Sequence, residues 1–188
     1  MKAIDIRFSA KEMGLIKRMI GKKMVVYKHD PLEFSTSVYG LVGLLIEDES
    51  FAFTNFVEKM DYYGENEDVA VFRIKAIPFD EIKSKIQSQQ MIEMPVNDII
   101  AEIDVVNEHQ KLYRYSVQTY DVMLTRGIIF RMKDGNELSF EKNIWFSENI
   151  SVEKGYDLIK RFSPTDEFSE GWSGEYKGVC SREIIKIL

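Results

Sequence analysis

The dipeptide Asp134-Gly135 stands between two runs, residues 127–132 and 137–146, in which apolar side chains recur at strand spacing. Asp-Gly supplies positive φ at little steric cost, and a type I′ turn twists as paired strands do. The segment therefore predicts a β-hairpin. A looser echo lies upstream, where Gly43-Leu44-Leu45-Ile46 leads through Glu47-Asp48-Glu49 into Phe51-Ala52-Phe53. Gly43 corresponds to Gly127, and Phe51-Ala52-Phe53 to Leu138-Ser139-Phe140, with the later turn three residues longer. Two unrelated hairpins obeying the same pleat would share this much, so the echo does not require duplication.

Apolar alternation continues along the chain. Ile4, Ile6 and Phe8 share one side of a short strand, with Asp5 and Arg7 on the other. Ser9 and Glu12 then form a capping box, and Met13, Ile16 and Ile20 make the apolar stripe of a helix that Gly21 ends. Residues 24–27, 38–46, 51–57 and 69–77 read as strands, and Pro78 opens a short helix with Phe79, Ile82 and Ile86 facing the sheet. Gln87-Ser88-Gln89-Gln90 resembles a linker, with Pro95 just beyond. A second strand series follows at 99–106, 112–117, 121–125, 128–132, 137–141 and 144–147, with Asn107–Lys111 as a polar hairpin loop. Residues 156–162 suggest a short helix, 163–166 and 170–174 a loop, and 176–188 a buried closing strand.

These signals predict a mainly β fold with two or three short helices and two antiparallel β-barrel-like or curved-sheet halves. The halves would be residues 1–90, with a capping helix, and 91–188, or one continuous domain over 1–188.

Composition narrows the class. Hydrophobic residues make up 45% and charged residues 30% of the chain, which argues for a packed core against disorder. The first residues offer no apolar stretch of a secretory signal, and the longest apolar run, 38–46, falls short of the roughly 20 residues a spanning helix needs. Cys180 is the only cysteine, so no internal disulfide can form. A cytoplasmic protein of bacterial type, without membrane contact, is the resulting expectation. Asn149-Ile150-Ser151 then matches a glycosylation sequon by chance.

The net charge of −6 hides two blocks. The opening segment is basic, and the following one, from Asp30 to Asp68, is acidic. Adjacent opposite blocks either screen each other or form two poles that steer partners.

Catalytic signatures are missing from the sequence. His29-Asp30-Pro31 reads as a turn in which Asp30 bonds the backbone, and His109 as a loop residue; neither has metal-ligand spacing. Cys180 has no nucleophile motif around it and reads as a buried free thiol. Gly171-Trp172-Ser173-Gly174 lacks the spacing of a nucleophile elbow. Glu108, Asp121 and Glu141 supply acids whose separation spacing does not fix. No glycine-rich loop cradles a phosphate. No catalytic residue, metal or cofactor is assigned.

Three functions remain. The leading one is a non-enzymatic interaction or regulatory protein that binds a protein partner through an aromatic-acidic C-terminal surface. Trp172, Phe168 and Tyr176 are its anchors, with Trp145 and Phe146 nearby. Trp172 could instead cap a barrel end. The alternative is a nucleic-acid-associated small β-barrel using Lys11, Arg18 and Lys22, with Tyr113, Tyr115 and Tyr120 available for stacking. Negative total charge weighs against it. The third is a small-molecule enzyme with a cleft between the halves. A homodimer is expected on general grounds.

Overall fold

The computed structural model describes residues 3–32, 36–62, 65–86, 89–143 and 147–188. The fold is mainly β, and its strands join in one large sheet that does not close into a barrel. Trp145 and Phe146 lie outside the described residues, as does part of the linker-like segment at Gln87.

The chain opens with β1 (Ile4–Ile6) and α1 (Ala10–Lys17). The capping box forms as expected: Ser9 Oγ accepts from the Glu12 amide, and Glu12 accepts from the Ser9 amide at 2.8 Å. Glu12 also accepts from the Ile74 amide, at 3.1 Å, so one carboxylate ties the helix start to the sheet. Then come β2 (Lys23–His29), β3 (Ser37–Tyr39), β4 (Leu41–Ile46), β5 (Glu49–Tyr62) and β6 (Glu65–Ala76). The segment after Pro78 makes only one 3-10 turn, Phe79–Glu81, in place of the expected helix. Ile82 still docks with Phe79 against Leu41 and Ala52.

The second half holds β7 (Ile92–Arg114), β8 (Val117–Met132), β9 (Glu137–Lys142), β10 (Asn149–Gly155), α2 (Asp166–Glu170) and β11 (Tyr176–Ile187). Sheet order is β3-β10-β9-β8-β7-β2-β4-β5-β6, with β1 parallel to β8 and β11 antiparallel to β7. Strand pairing crosses the expected division: β2 pairs with β7, β1 with β8, and β3 with β10.

Two expected boundaries vanish. Asn107–Lys111 is not a loop but the middle of β7, where it has β8 on one edge and β11 on the other. Residues 121–125 and 128–132 belong to one strand, interrupted only by a bulge at Arg126. Polar residues suggest breaks, yet ladders on both edges satisfy the backbone there and leave the side chains to choose a face. β7 changes partners along its length through a register shift between Ile100 and Glu102, and Asn97 beside it takes a φ of 57°. Such irregularities bend a strand from one part of a sheet into another.

The largest core cluster joins strands of both halves. The Phe53 ring lies 5.7 Å from Phe72, 6.0 Å from Phe130 and 5.5 Å from Phe140, linking strands from both halves. α1 adds Ile16, and the turn that follows it adds Met19, both buried. The opposite side of the second half is covered by the segment from Leu158 to α2. Leu158 and Phe162 pack on Val106 and Ile129, and Phe168 stacks on Tyr120 at 6.0 Å. Gly127 permits that cover, because a Cβ there would lie 2.4 Å from the Phe140 carbonyl oxygen and 2.8 Å from Phe162. The cover includes α2, of which only the end residues Asp166 and Glu170 were expected in loops, and a 3-10 turn at Leu158–Arg161 in place of the expected short helix.

Under the cover runs a buried charged layer. Arg126 donates to Glu141 at 2.9 Å, and Arg182 to Glu108 and to the Ser163 carbonyl at 2.5 Å each. Lys142, buried nearby, donates to the Asn143 carbonyl at 3.0 Å. Burial, reinforced by the Arg126 charge, lowers its pKa to about 7.

The Asp134-Gly135 hairpin is present, joining β8 to β9, but its turn is not type I′. Only Gly135 has positive φ, at 89°; its amide donates to the Met132 carbonyl, and the Met132 amide donates to Asn136. This is a three-residue connection with glycine at the left-handed position, and Asp134 fastens it by accepting from the Asn136 amide at 2.8 Å.

Candidate functional site

Alternation along β7 defines the site. Ile103 and Val105 point into the core, and Asn107, His109, Lys111 and Tyr113 continue on their side after the core ends. There, Val106, Glu108, Gln110 and Leu112 are buried under the cover, while His109, Lys111 and Tyr113 are half-buried and open to solvent. A sheet face is left uncovered. The register sets Asp121 and Met123 of β8 beside it, and Lys177, Val179, Ser181 and Glu183 of β11 on the other side, while Thr125 opposite Asn107 is buried and accepts from the Phe8 amide at 2.9 Å.

His109 is the centre of that face. Its Nε2 lies 2.6 Å from Asp121 Oδ1, and Gln118 donates to the other Asp121 oxygen at 2.9 Å. Ser181 and Met123 are its direct cross-strand neighbours. A cavity of about 200 Å³ is lined here by Arg7, Asn107, His109, Met123, Ser181 and Glu183, among others. A larger groove of about 770 Å³ lies toward the strand ends, lined by Tyr113, Tyr115, Tyr176, Lys177 and Val179, among others.

The tip of the face carries strain. Arg114 pairs with Val117, so Tyr115 and Ser116 form a two-residue turn, and their φ values are 51° and 98°. Positive φ at both central residues is the type I′ requirement, which asparagine and glycine meet cheaply and tyrosine does not. Tyr115 is 72% exposed. Glu175 holds the turn: its carbonyl accepts from the Tyr115 amide at 3.0 Å, and its carboxylate lies 2.9 Å from the Arg114 guanidinium. Hydrogen bonding from Tyr115, then from Arg114, keeps the Glu175 carboxyl below its ordinary pKa. The same contact pushes the Tyr115 hydroxyl up.

The three anchors expected from sequence separate. Phe168 is 5% exposed and serves as packing on Tyr120. Trp172 meets Phe168 at 6.2 Å and Tyr176 at 5.8 Å, and it lies close over Gly178. Tyr176 lines the groove. Of the basic residues, Lys11 is exposed on α1, whereas Lys22 donates to Glu49 at 3.1 Å and Arg18 lies 3.7 Å from it. The basic and acidic blocks thus meet at Glu49.

The remaining candidates have separate places. His29 Nδ1 lies 2.6 Å from the Asp30 carbonyl oxygen, at the end of β2. Asp30 is fully buried, and its carboxylate oxygens have no hydrogen-bond partner among the described residues, so it does not bond the backbone as expected. Cys180 is half-buried on β11, where burial and then Glu108 push its thiol up to about 12. Such a thiol is a poor nucleophile.

Sequence reasoning missed Asn107, His109, Asp121, Ser181 and the Tyr115-Ser116 turn as parts of one face. The available signal was parity: 107, 109, 111 and 113 share a side only if β7 is unbroken. No family model, curated protein or solved structure matches the chain. Among the described residues, no helix is long and apolar enough to cross a membrane.

Proposed function

We propose that the protein is a recognition module that binds a protein partner on the uncovered face of β7, β8 and β11. The observation that carries this reading is Tyr115, largely exposed at the end of that face on a turn whose φ values suit asparagine and glycine. Backbone strain of about 1–3 kcal/mol per residue persists where the surroundings enforce it, and it clusters at functional positions. The neighbours suit recognition. Tyr113 and Tyr176 supply rigid amphipathic area, and Arg114 with Glu175 supplies charge at the rim. This keeps Tyr176 from the aromatic surface expected from sequence and moves the weight from Phe168 and Trp172 to Tyr113 and Tyr115.

The test is photo-crosslinking from position 113 in the native host, followed by binding of the purified adduct protein to the wild type. A discrete heterologous adduct is expected, with Tyr113→Ala and Tyr115→Ala each weakening its binding at least tenfold, about 1.4 kcal/mol. Binding unaffected by both substitutions refutes the reading.

A second reading, acyl transfer on a small ester or amide, is supported by one observation. Ser181 stands opposite His109 in register, and His109 is hydrogen-bonded to Asp121. A serine-directed fluorophosphonate that labels Ser181 in the wild type but not in His109→Ala would support it. Equal labelling or none would remove it.

A further inference from the structure

We infer that β11 pairs edge to edge with β11 of a second copy of this chain, antiparallel about a two-fold axis at Cys180. Among the described residues β11 pairs with β7 alone, so a strand of 12 residues has one free edge. The Tyr115 amide bonds to the Glu175 carbonyl, which fixes the parity of the ladder. Odd-numbered residues of β11 direct their backbone groups to β7. Gly178, Cys180, Arg182, Ile184 and Lys186 direct theirs outward. A long unpaired edge is a template for another strand unless charges guard it. Here the guards are diverted. Arg182 is bound to Glu108, and Lys186 to Glu102 and Asp104 on β7.

The two exposed charges of β11 that enter no ion pair among the described residues are Lys177 and Glu183. They decide the register. With the axis at Cys180, Lys177 meets Glu183 of the other copy twice, Tyr176 meets Ile184, and Val179 meets Ser181. Lys177 and Glu183 then form a non-hydrogen-bonded pair, the kind in which side chains approach most closely. Shifting the axis to Arg182 or Glu183 sets like charges opposite each other, and shifting it to Ser181 puts Glu183 opposite Val179. Shifting it to Val179 sets Glu183 against Glu175. Of these registers only the one at Cys180 sets Lys177 opposite Glu183 and places no like charges opposite each other, in an isologous two-fold contact. Such pairing preserves faces, so the open faces of the two copies join into one. The inference does not depend on the partner-binding reading.

Sedimentation equilibrium of the full chain tests it. The wild type should sediment as a dimer, and Lys177→Glu or Glu183→Lys should each weaken dimerisation about tenfold, since each alters two symmetric pairs. The double variant K177E/E183K should recover the wild-type affinity. Both side chains are exposed, and unchanged circular dichroism checks folding. In the wild type the outward amides of Gly178, Cys180 and Arg182 should exchange hydrogen more slowly as concentration rises. A monomeric wild type, silent single reversals, a double variant that stays dissociated, or concentration-independent exchange at those amides would each overturn the proposal.

Discussion

The Tyr115 amide donates to the Glu175 carbonyl at 3.0 Å, tying the turn between β7 and β8 to the start of β11. That bond holds two non-glycine residues at positive φ at the end of an open sheet face. Replacing them with the preferred pair, Tyr115→Asn with Ser116→Gly, should stabilise the fold by about 1–3 kcal/mol, because the strain disappears. The same variant should lose partner binding along with the tyrosine. Chemical denaturation and a binding titration read the two effects, and a destabilised variant would show that the turn carries no strain.

Gly127 lets Phe162 and the β9 backbone approach β8. A methyl group there meets a carbonyl oxygen that cannot move without breaking the sheet. Gly127→Ala should therefore cost about 1–3 kcal/mol through overpacking. Gly14→Ala, where nothing lies within 4 Å and φ is not positive, should be neutral or stabilising by about 1 kcal/mol. Thermal denaturation of both variants separates steric crowding from a general intolerance of substitution.

Lys142 gives stability a distinctive pH profile. Below about pH 7 the lysine is protonated in both the folded and unfolded chain, and its burial opposes folding in full. Between about 7 and the ordinary lysine value of 10.5 the folded chain has released a proton that the unfolded chain keeps. Stability contributed at this position therefore rises with pH across that window. Lys142→Met should flatten the rise and raise stability most below pH 7. Urea midpoints measured at several pH values check this, and a parallel profile for the variant would contradict it.

Phe53 touches Phe72, Phe130 and Phe140 at once, so the two halves of the sequence share a core. Phe53→Ala should cost about 3–5 kcal/mol and leave a single cooperative transition. Two separated transitions in the wild type or the variant would mean that the halves fold independently.

Strand character, the capping box at Ser9 and Glu12, and the hairpin at Asp134-Gly135 were legible because each depends on residues close in sequence. The unbroken course of β7 was not. Asn107-Glu108-His109-Gln110-Lys111 is as polar as a loop, and only pairing with β8 and β11, distant in sequence, makes it strand. Asp134-Gly135 is the dipeptide that favours a type I′ turn, whereas the structure has positive φ at both centres of the Tyr115-Ser116 turn. Local preference identifies where a turn is cheap, and tertiary contacts such as Glu175 decide where an expensive one is kept. Phe168 illustrates the converse difficulty: an aromatic among acids looked available on the surface until α2 laid it on Tyr120.

Hydroxyl-radical footprinting, with and without the cross-linked partner, tests the open face most directly. Tyr113, Tyr115 and Met123 should be oxidised rapidly in the free protein and protected in the complex, while Leu112 and Phe168 stay unreactive in both. Slow oxidation of Tyr113 and Met123 in the free chain, or protection confined to another surface, would contradict the account.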